Sequence, residues 1–505
     1  MTPRRVAGQH ANQLGTDGAG PERCGLDGAG LDGAGLDGGA VLPPSRFDPV
    51  ARSASAIIGG PAGRRLGPAT GWWRALPVLI LLAGLMMAGG VLAKQHCRAQ
   101  GWQTPDQFWH ACYSDIPVLY GSVPLFGGQR PSLTEAVGPD GVGQPPLASV
   151  AIWAASALTG GNGQAGPGRF FDGSVLLLSA VLMVGVGLLA ALNRRRPWDA
   201  AHLALSPLLL VSALISYQLL AVTLTAAALL AWTRHRPVLA GALIGLAAST
   251  APQTAVIVVA LAVVGVRLGR GAEAVRAGAT AVLVWVGLRV LLFTGLGGGL
   301  SQAWESYKAA GAGYGSFWLV PQLIEGNRPR FAGWWFGAQA LSGPVATTLA
   351  LLTLLALVSG VATVALTARV EPRLGPVALA MACGVLLTAK ALPPQAGLLL
   401  LPLIAIAGLR WRDHLIWAST ELCYFVAVWL YIAAQSDPNR GMPGGLYLLL
   451  LLARLAGIGW LGAQAVRAIL NPERDFGRVA AEGSEPEASQ LPPCGQDFGS
   501  VGPLR

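Results

Sequence analysis

Charge is what this chain has least of. Only 12% of its 505 residues are Asp, Glu, Lys or Arg, about half the share of roughly 25% usual in a soluble domain. A chain so poor in charge and 53% hydrophobic does not read as a water-solvated globule. Several common chemistries are missing too. There is no P-loop, no dinucleotide-binding fingerprint and no Cys/His spacing of the zinc type, so no metal site is expected from the motifs. Cysteine is sparse, with six scattered residues. No cleavable leader is expected, because the first long apolar run begins about 70 residues in.

What the chain has instead is a series of apolar runs of about 15–25 residues. In lipid the backbone must satisfy its own polar groups, so such runs are expected to be helices. The formal charge of +10 would suggest nucleic acid in a soluble protein. Here the arginines fall in short clusters between apolar runs, which is the mark of cytoplasmic loops, and no nucleic-acid partner is expected.

Residues 1–70 are rich in Gly, Ala, Pro and Arg, with LDGAG repeated at 26–30 and 31–35. They are expected to be a disordered cytoplasmic extension. The membrane domain is placed at 71–470, with a second disordered cytoplasmic tail at 471–505. Trp72, Trp73 and Arg74 anchor a first span, Leu76–Ala93, which puts Lys94–Pro145 outside. Pro146–Thr159 is short for a span, is not expected to cross, and is read as an interfacial or re-entrant helix. Val175–Leu192 returns to Arg194-Arg195-Arg196. Paired runs follow at 203–216 with 218–233 and at 238–250 with 253–266, each pair ending in a basic cluster. Later runs lie at 278–296, 342–367, 375–389, 397–409, 415–434 and 445–469. The expectation is an all-α polytopic bundle of about twelve spans in the plasma membrane. Both termini are cytoplasmic and the first external loop is polar.

That topology gathers the unusual polar residues at the outer ends: Tyr113, Ser114, Asp115, Gln218, Ser249, Thr250, Lys390 and Gln395. Asp115 lies in the string HACYSDIPVLY (110–120). It reads as a general base able to reach a hydroxyl, as a helix N-cap before Ile-Pro, or as both. Lys390 reads as a contact for a phosphate or as a lysine snorkelling to the interface. Lys308, Arg328 and Arg330 read as anion contacts or as solvated loop charge. Glu421 lies inside an apolar run, where an acid is costly and rarely unpaired. Arg289 and Arg454 are its candidate partners, and a proton relay is the alternative. A Cys97–Cys112 disulfide requires the first loop to be extracytoplasmic. It would close a loop of about 15 residues, worth roughly 3 kcal/mol in the chain-entropy picture.

Several strings occur together in order: HACYSDIPVLY, LLAVTLTAAALLAWTRHRPVLAGALIGLAAS (219–249), GSFW (315–318), KALPPQA (390–396) and IWASTELCYFVAVWLY (416–431). Over roughly residues 75–475 the chain resembles the actinobacterial multi-pass membrane proteins of glycosyltransferase family 87, which have the GT-C fold. The resemblance implies an inverting transferase on the extracytoplasmic face. Its donor would be a polyprenyl-phosphate sugar, typically mannose, and its acceptor a glycolipid or cell-wall glycan. Asp115 matches the family's catalytic base, and Lys390, Pro394 and Gln395 match its outer tip. The resemblance leaves the metal requirement open.

The chain also departs from the family pattern. GQPPL (143–147) stands where an acidic-aromatic-proline motif is usual, and Ser216-Tyr217-Gln218 replaces a Trp-Asp tip. Ala251 replaces a lysine, and Ala310 and Gly313 replace an arginine and an aspartate. A catalytically inactive relative that binds or assembles lipid-linked glycans is therefore the competing expectation, ahead of a transporter. Transporters tend to hold their polar sites at the membrane midplane.

Overall fold

Every long apolar run that the structure describes is a helix, as burial of the backbone in lipid demands. The computed structural model describes residues 48–58, 71–122, 133, 144–159, 166–292, 304–326, 341–437 and 439–475. Among these there is no strand. The LDGAG repeat, Arg328, Arg330, Cys24, Cys494 and the tail beyond Asp475 lie outside the described residues. Most of 1–70 also lies outside them. Within that stretch Pro49–Ile58 is helical, and the Asp48 carboxylate accepts from the Val50 and Trp411 backbone N–H groups at 2.8 and 2.7 Å.

Among the described residues six helices are long and apolar enough to cross a membrane: Trp72–Ala93, Gly166–Leu192, Gly271–Leu292, Gly343–Thr367, Trp411–Ser436 and Gly444–Leu470. Six shorter apolar helices accompany them, among them Gln218–Thr233, Pro237–Ala248 and Leu374–Thr388. Leu283, Leu291 and Leu355 are 71, 73 and 65% exposed, an arrangement that suits a lipid-facing surface. The chain is a multi-pass membrane protein.

Prolines divide two of the expected runs. The run 203–216 is broken into Ala201–Ala204 and Pro207–Ser212, because Pro207 has no N–H to continue the ladder. The run 397–409 starts earlier, as a 3-10 turn Pro394–Leu400, and ends at Ala407 before the left-handed Gly408.

Contacts sort the loops into two ends. At the basic end Arg267 donates to the Ala368 carbonyl, Arg270 to the Trp232 carbonyl and Arg373 to the Ile406 carbonyl. At the other end, called here the acid end, the segment around Asp115, the 212–218 bend, the 388–396 tip and the GSFW turn meet. The 14-residue helix Pro146–Thr159 has both ends there. Leu147 N–H donates to the Ser249 carbonyl at 3.0 Å, and Thr159 packs against Gly173, next to the Asp172 that pairs with Arg98.

Small residues let the shorter helices approach closely. A Cβ on Gly241 would lie 2.1 Å from the Ala277 carbonyl oxygen, and one on Gly245 would lie 2.6 Å from that of Ala281. Two small residues spaced by four, facing two more, form the close helix crossing favoured in lipid.

Candidate functional site

The acid-end site starts from a disulfide. Cys97 and Cys112 are bridged across 15 residues, with Cα atoms 5.8 Å apart, as expected. The bridge brings the segment 112–115 back against the end of the first span. Ser114, fully buried, then fastens it, because its hydroxyl donates to the Leu214 carbonyl at 2.7 Å. The Asp115 N–H donates to the Ile215 carbonyl at 2.9 Å. These two bonds dock the loop on the bend between Pro207–Ser212 and Gln218–Thr233.

Asp115 opens the helix Asp115–Ser122. The residue whose side chain accepts from that first turn is Ser114, whose Oγ takes the Ile116 N–H at 3.3 Å. The Asp115 carboxylate is thus left for other partners. It accepts from the Tyr113 hydroxyl and from Gln395 Nε2 at 3.3 Å. Burial pushes its pKa up, while the Tyr113 bond and the nearby Lys94 charge pull it partway back. A carboxylate raised in this way is a stronger base than a solvated one.

Lys94, the first residue beyond the span Leu76–Ala93, is 1% exposed. Its ammonium donates to the Tyr113 carbonyl at 2.6 Å and sits 5.3 Å from the Phe425 ring centre. Burial lowers its pKa to about 7, against the pull of Asp115. The Tyr113 ring lies 5.5 Å from Phe108 and 4.5 Å from Trp429, an aromatic wall beside the acid. Two buried polar atoms here have no partner, Gln395 Oε1 and Trp429 Nε1. Turning the Gln395 amide round would set its oxygen against the carboxylate, so the hydrogen bond assigns its orientation.

Gln395 is held by the tip that carries it. Arg454 and Glu421, both fully buried, pair at 2.9 Å, and Arg454 also donates to the Leu392 and Pro393 carbonyls. Glu421 is therefore bonded to Arg454, one of its two expected partners. Arg289 packs over the Trp285 ring instead. The GSFW turn lies on the same tip. Gly315 has φ +80°, and a Cβ there would fall 2.0 Å from the Leu392 oxygen, so only glycine fits. Ser316 donates to the Ala389 carbonyl and Trp318 Nε1 to the Thr388 carbonyl.

Lys390 points elsewhere. Its ammonium donates to the Tyr307 carbonyl at 2.6 Å and to Thr347 Oγ1 at 2.7 Å, and it sits 4.6 Å from the Tyr307 ring centre. It fastens the 307–314 segment to the helix Gly343–Thr367. Gln218 is half-buried at the start of its helix, three residues after the carbonyl that receives the Asp115 N–H. Of the expected site residues, Asp115, Tyr113 and Gln395 form one hydrogen-bonded group. Ser114 supports it through the backbone, Gln218 lies at the same end, and Lys390 serves a different joint. A cavity of ≈590 Å³ adjoins that joint, lined by Gly313, Tyr314, Gln322, Tyr431 and Gln435. Asp115 does not line it.

Sequence reasoning passed over Lys94 and Trp429. The signal for Lys94 was rarity. Among 35 basic residues it is one of three lysines, with Lys308 and Lys390.

Fold and site together define an all-helical multi-pass membrane protein with a half-buried carboxylate at one end of the bundle. No family model matches the chain, and no curated protein or solved structure matches it.

Proposed function

We propose that the protein is an integral-membrane glycosyltransferase of GT-C type, related to glycosyltransferase family 87. It moves a sugar, mannose by the resemblance, from a polyprenyl phosphate to a glycolipid or cell-wall glycan. About twelve spans place the acid end on the extracytoplasmic side and both termini in the cytoplasm. Three observations support that orientation. The arginine-bearing loops contact one another at the opposite end, positive clusters favour the cytoplasm, and a disulfide persists in an oxidising compartment. In this reading Asp115 takes the proton of the acceptor hydroxyl as that oxygen attacks the sugar carbon, and the lipid phosphate leaves from the opposite face. Tyr113 and Gln395 hold the carboxylate, and Gln395 Oε1 is free to accept from the acceptor. The observation that carries the proposal is the Asp115 carboxylate, raised by burial and gripped by two side chains rather than used as a helix cap.

Asp115→Asn should abolish sugar transfer in membranes that supply polyprenyl-phosphate mannose, at unchanged protein level. Transfer that survives in the variant refutes the assignment. One observation favours a second reading, a non-catalytic lipid-glycan binding subunit. A departing phosphate is normally met by a cation. Lys390 and Arg454 are both committed to backbone carbonyls, which leaves Lys94, weakened by burial. Binding of the donor by wild-type protein without turnover would decide for that reading.

A further inference from the structure

The first loop carries a second cluster of ligating groups that the proposed transfer does not use. His96 lies on the short helix Gln95–Gln100, and Asp106 opens the helical turn Asp106–Trp109. His110 follows Asp106 by four residues, so the two stand on one helical face. His96 Nε2 is 2.8 Å from Asp106 Oδ2, and His110 Nδ1 is 3.1 Å from Asp106 Oδ1. The three ligand atoms lie within 4.8 Å of one another. The imidazoles stack, with centres 3.7 Å apart.

We propose that His96, Asp106 and His110 form a binding site for a divalent transition metal of the zinc class. Two imidazoles and one carboxylate are a donor set that zinc accepts, and three protein ligands leave a fourth position for water. Zinc bonds of about 2.0–2.1 Å at a tetrahedral angle set donor atoms about 3.3 Å apart. The nitrogen–oxygen separations of 2.8 and 3.1 Å, one to each oxygen of Asp106, are a few tenths of an ångström short of this, and one ligand atom from each residue lies within 4.8 Å of the others. The stacked rings fan apart so that each nitrogen faces the ion, and His110 Nδ1 gives up its contact with the Asp106 carbonyl, now 3.1 Å. Side-chain exposures of 41, 33 and 44% let an ion enter from solvent without unfolding.

Neighbouring charge does not oppose the ion. The two basic residues nearest His96 in sequence are both engaged elsewhere: Lys94 donates to the Tyr113 carbonyl, and Arg98 is bonded by both its Nε and Nη2 to the Asp172 carboxylate. Arg440 is drawn over the Trp109 ring at 4.0 Å. The covalent frame is already set, because His96 adjoins Cys97 and His110 stands two residues before Cys112, the two halves of the disulfide. The metal would add a third tie, to Asp106, in the middle of the bridged loop. It would thereby stiffen the segment that leads into Tyr113, Ser114 and Asp115. The site does not depend on sugar transfer, and it stands or falls on metal binding alone.

The test uses the untagged full-length protein in detergent, stripped with EDTA and dialysed. Zinc chloride is titrated against it in competition with a chromophoric chelator, and cobalt(II) absorption is recorded in parallel. The expected result is one equivalent of zinc per chain. Binding should weaken by more than about tenfold in His96→Gln and in His110→Gln, since even supporting residues around a metal matter at that level. Cobalt should give the intense visible bands of four-coordination, absent in both variants. Asp106→Asn, which keeps the shape of the side chain, guards against loss through misfolding, as does intact disulfide mapping of every variant. No zinc bound above a buffer control overturns the proposal, as does equal affinity in wild type and all three variants.

Discussion

Lys94→Met separates a titrating buried amine from its own carbon stem. In the folded chain the Lys94 pKa drops from 10.5 to about 7, chiefly by burial. The unfolded chain keeps the amine protonated up to its ordinary pKa. Between the two values the unfolded state therefore binds more protons than the folded one, and stability rises with pH. The slope approaches 1.4 kcal/mol per pH unit at most, roughly, and integration from about pH 7.5 to about pH 9.5 gives about 2.5 kcal/mol. Methionine fills a similar volume and does not titrate, so the variant loses this slope. It also leaves the Tyr113 carbonyl, now 2.6 Å from the ammonium, without that donor, an offset of about 1–3 kcal/mol that does not vary with pH. Equilibrium unfolding of both proteins in mixed micelles across that range measures the difference. Wild type should gain about 2.5 kcal/mol on the variant from the lower pH to the higher. Parallel curves would refute the burial of a titrating amine beside Asp115. The same substitution removes a positive charge that holds the Asp115 carboxyl down, so the acidic limb of any activity profile should move to higher pH.

Replacing Cys97 and Cys112 with alanine should lower stability by about 3 kcal/mol, read from unfolding in micelles with and without reductant, since the bridge closes a 15-residue loop. An unchanged midpoint counts against the bridge. Glu421→Gln leaves the buried Arg454 charge without its carboxylate and should cost about 3–5 kcal/mol, whereas Glu421→Leu combined with Arg454→Met should recover much of that loss. A double variant as unstable as the single one would mean that the Arg454 contacts to Leu392 and Pro393 matter more than the ion pair.

Helicity, the basic end and the bridged first loop were legible in the sequence because each rests on a one-dimensional signal. Apolar length, arginine clustering and cysteine pairing within one loop survive without knowledge of neighbours. Breaks inside runs were less legible, although Pro207 was in plain view. A proline within an apolar run either kinks a helix or ends it, and neighbouring packing decides which. The helix Pro49–Ile58 was hidden for the opposite reason. Its tie is Asp48 to the Trp411 N–H, a partner 363 residues away, and composition around it is that of a disordered segment.

The two lysines show why a site is harder to read than a span. Lys94 and Lys390 look alike in sequence, each at the acid end of an apolar run, and each is compatible with snorkelling or with holding an anion. The structure buries both and gives them different work. Lys390 finds a hydroxyl and a carbonyl on the 307–347 segments, so its charge is consumed in joining helices. Lys94 finds one carbonyl, an aromatic face and the field of Asp115. Asp115 itself could have been spent as a helix cap, had Ser114 not stood one residue before it with a hydroxyl already turned to the Ile116 N–H. The acid is available because the serine beside it does the capping. The charge near it is weak because Lys390 is spent joining the 307–314 segment to the helix Gly343–Thr367 and Arg454 is spent holding the tip that presents Gln395. Chemistry at this end therefore depends on how the tip is held as much as on the carboxylate, and that dependence is invisible until residues some 280 positions apart are brought to one hydrogen bond.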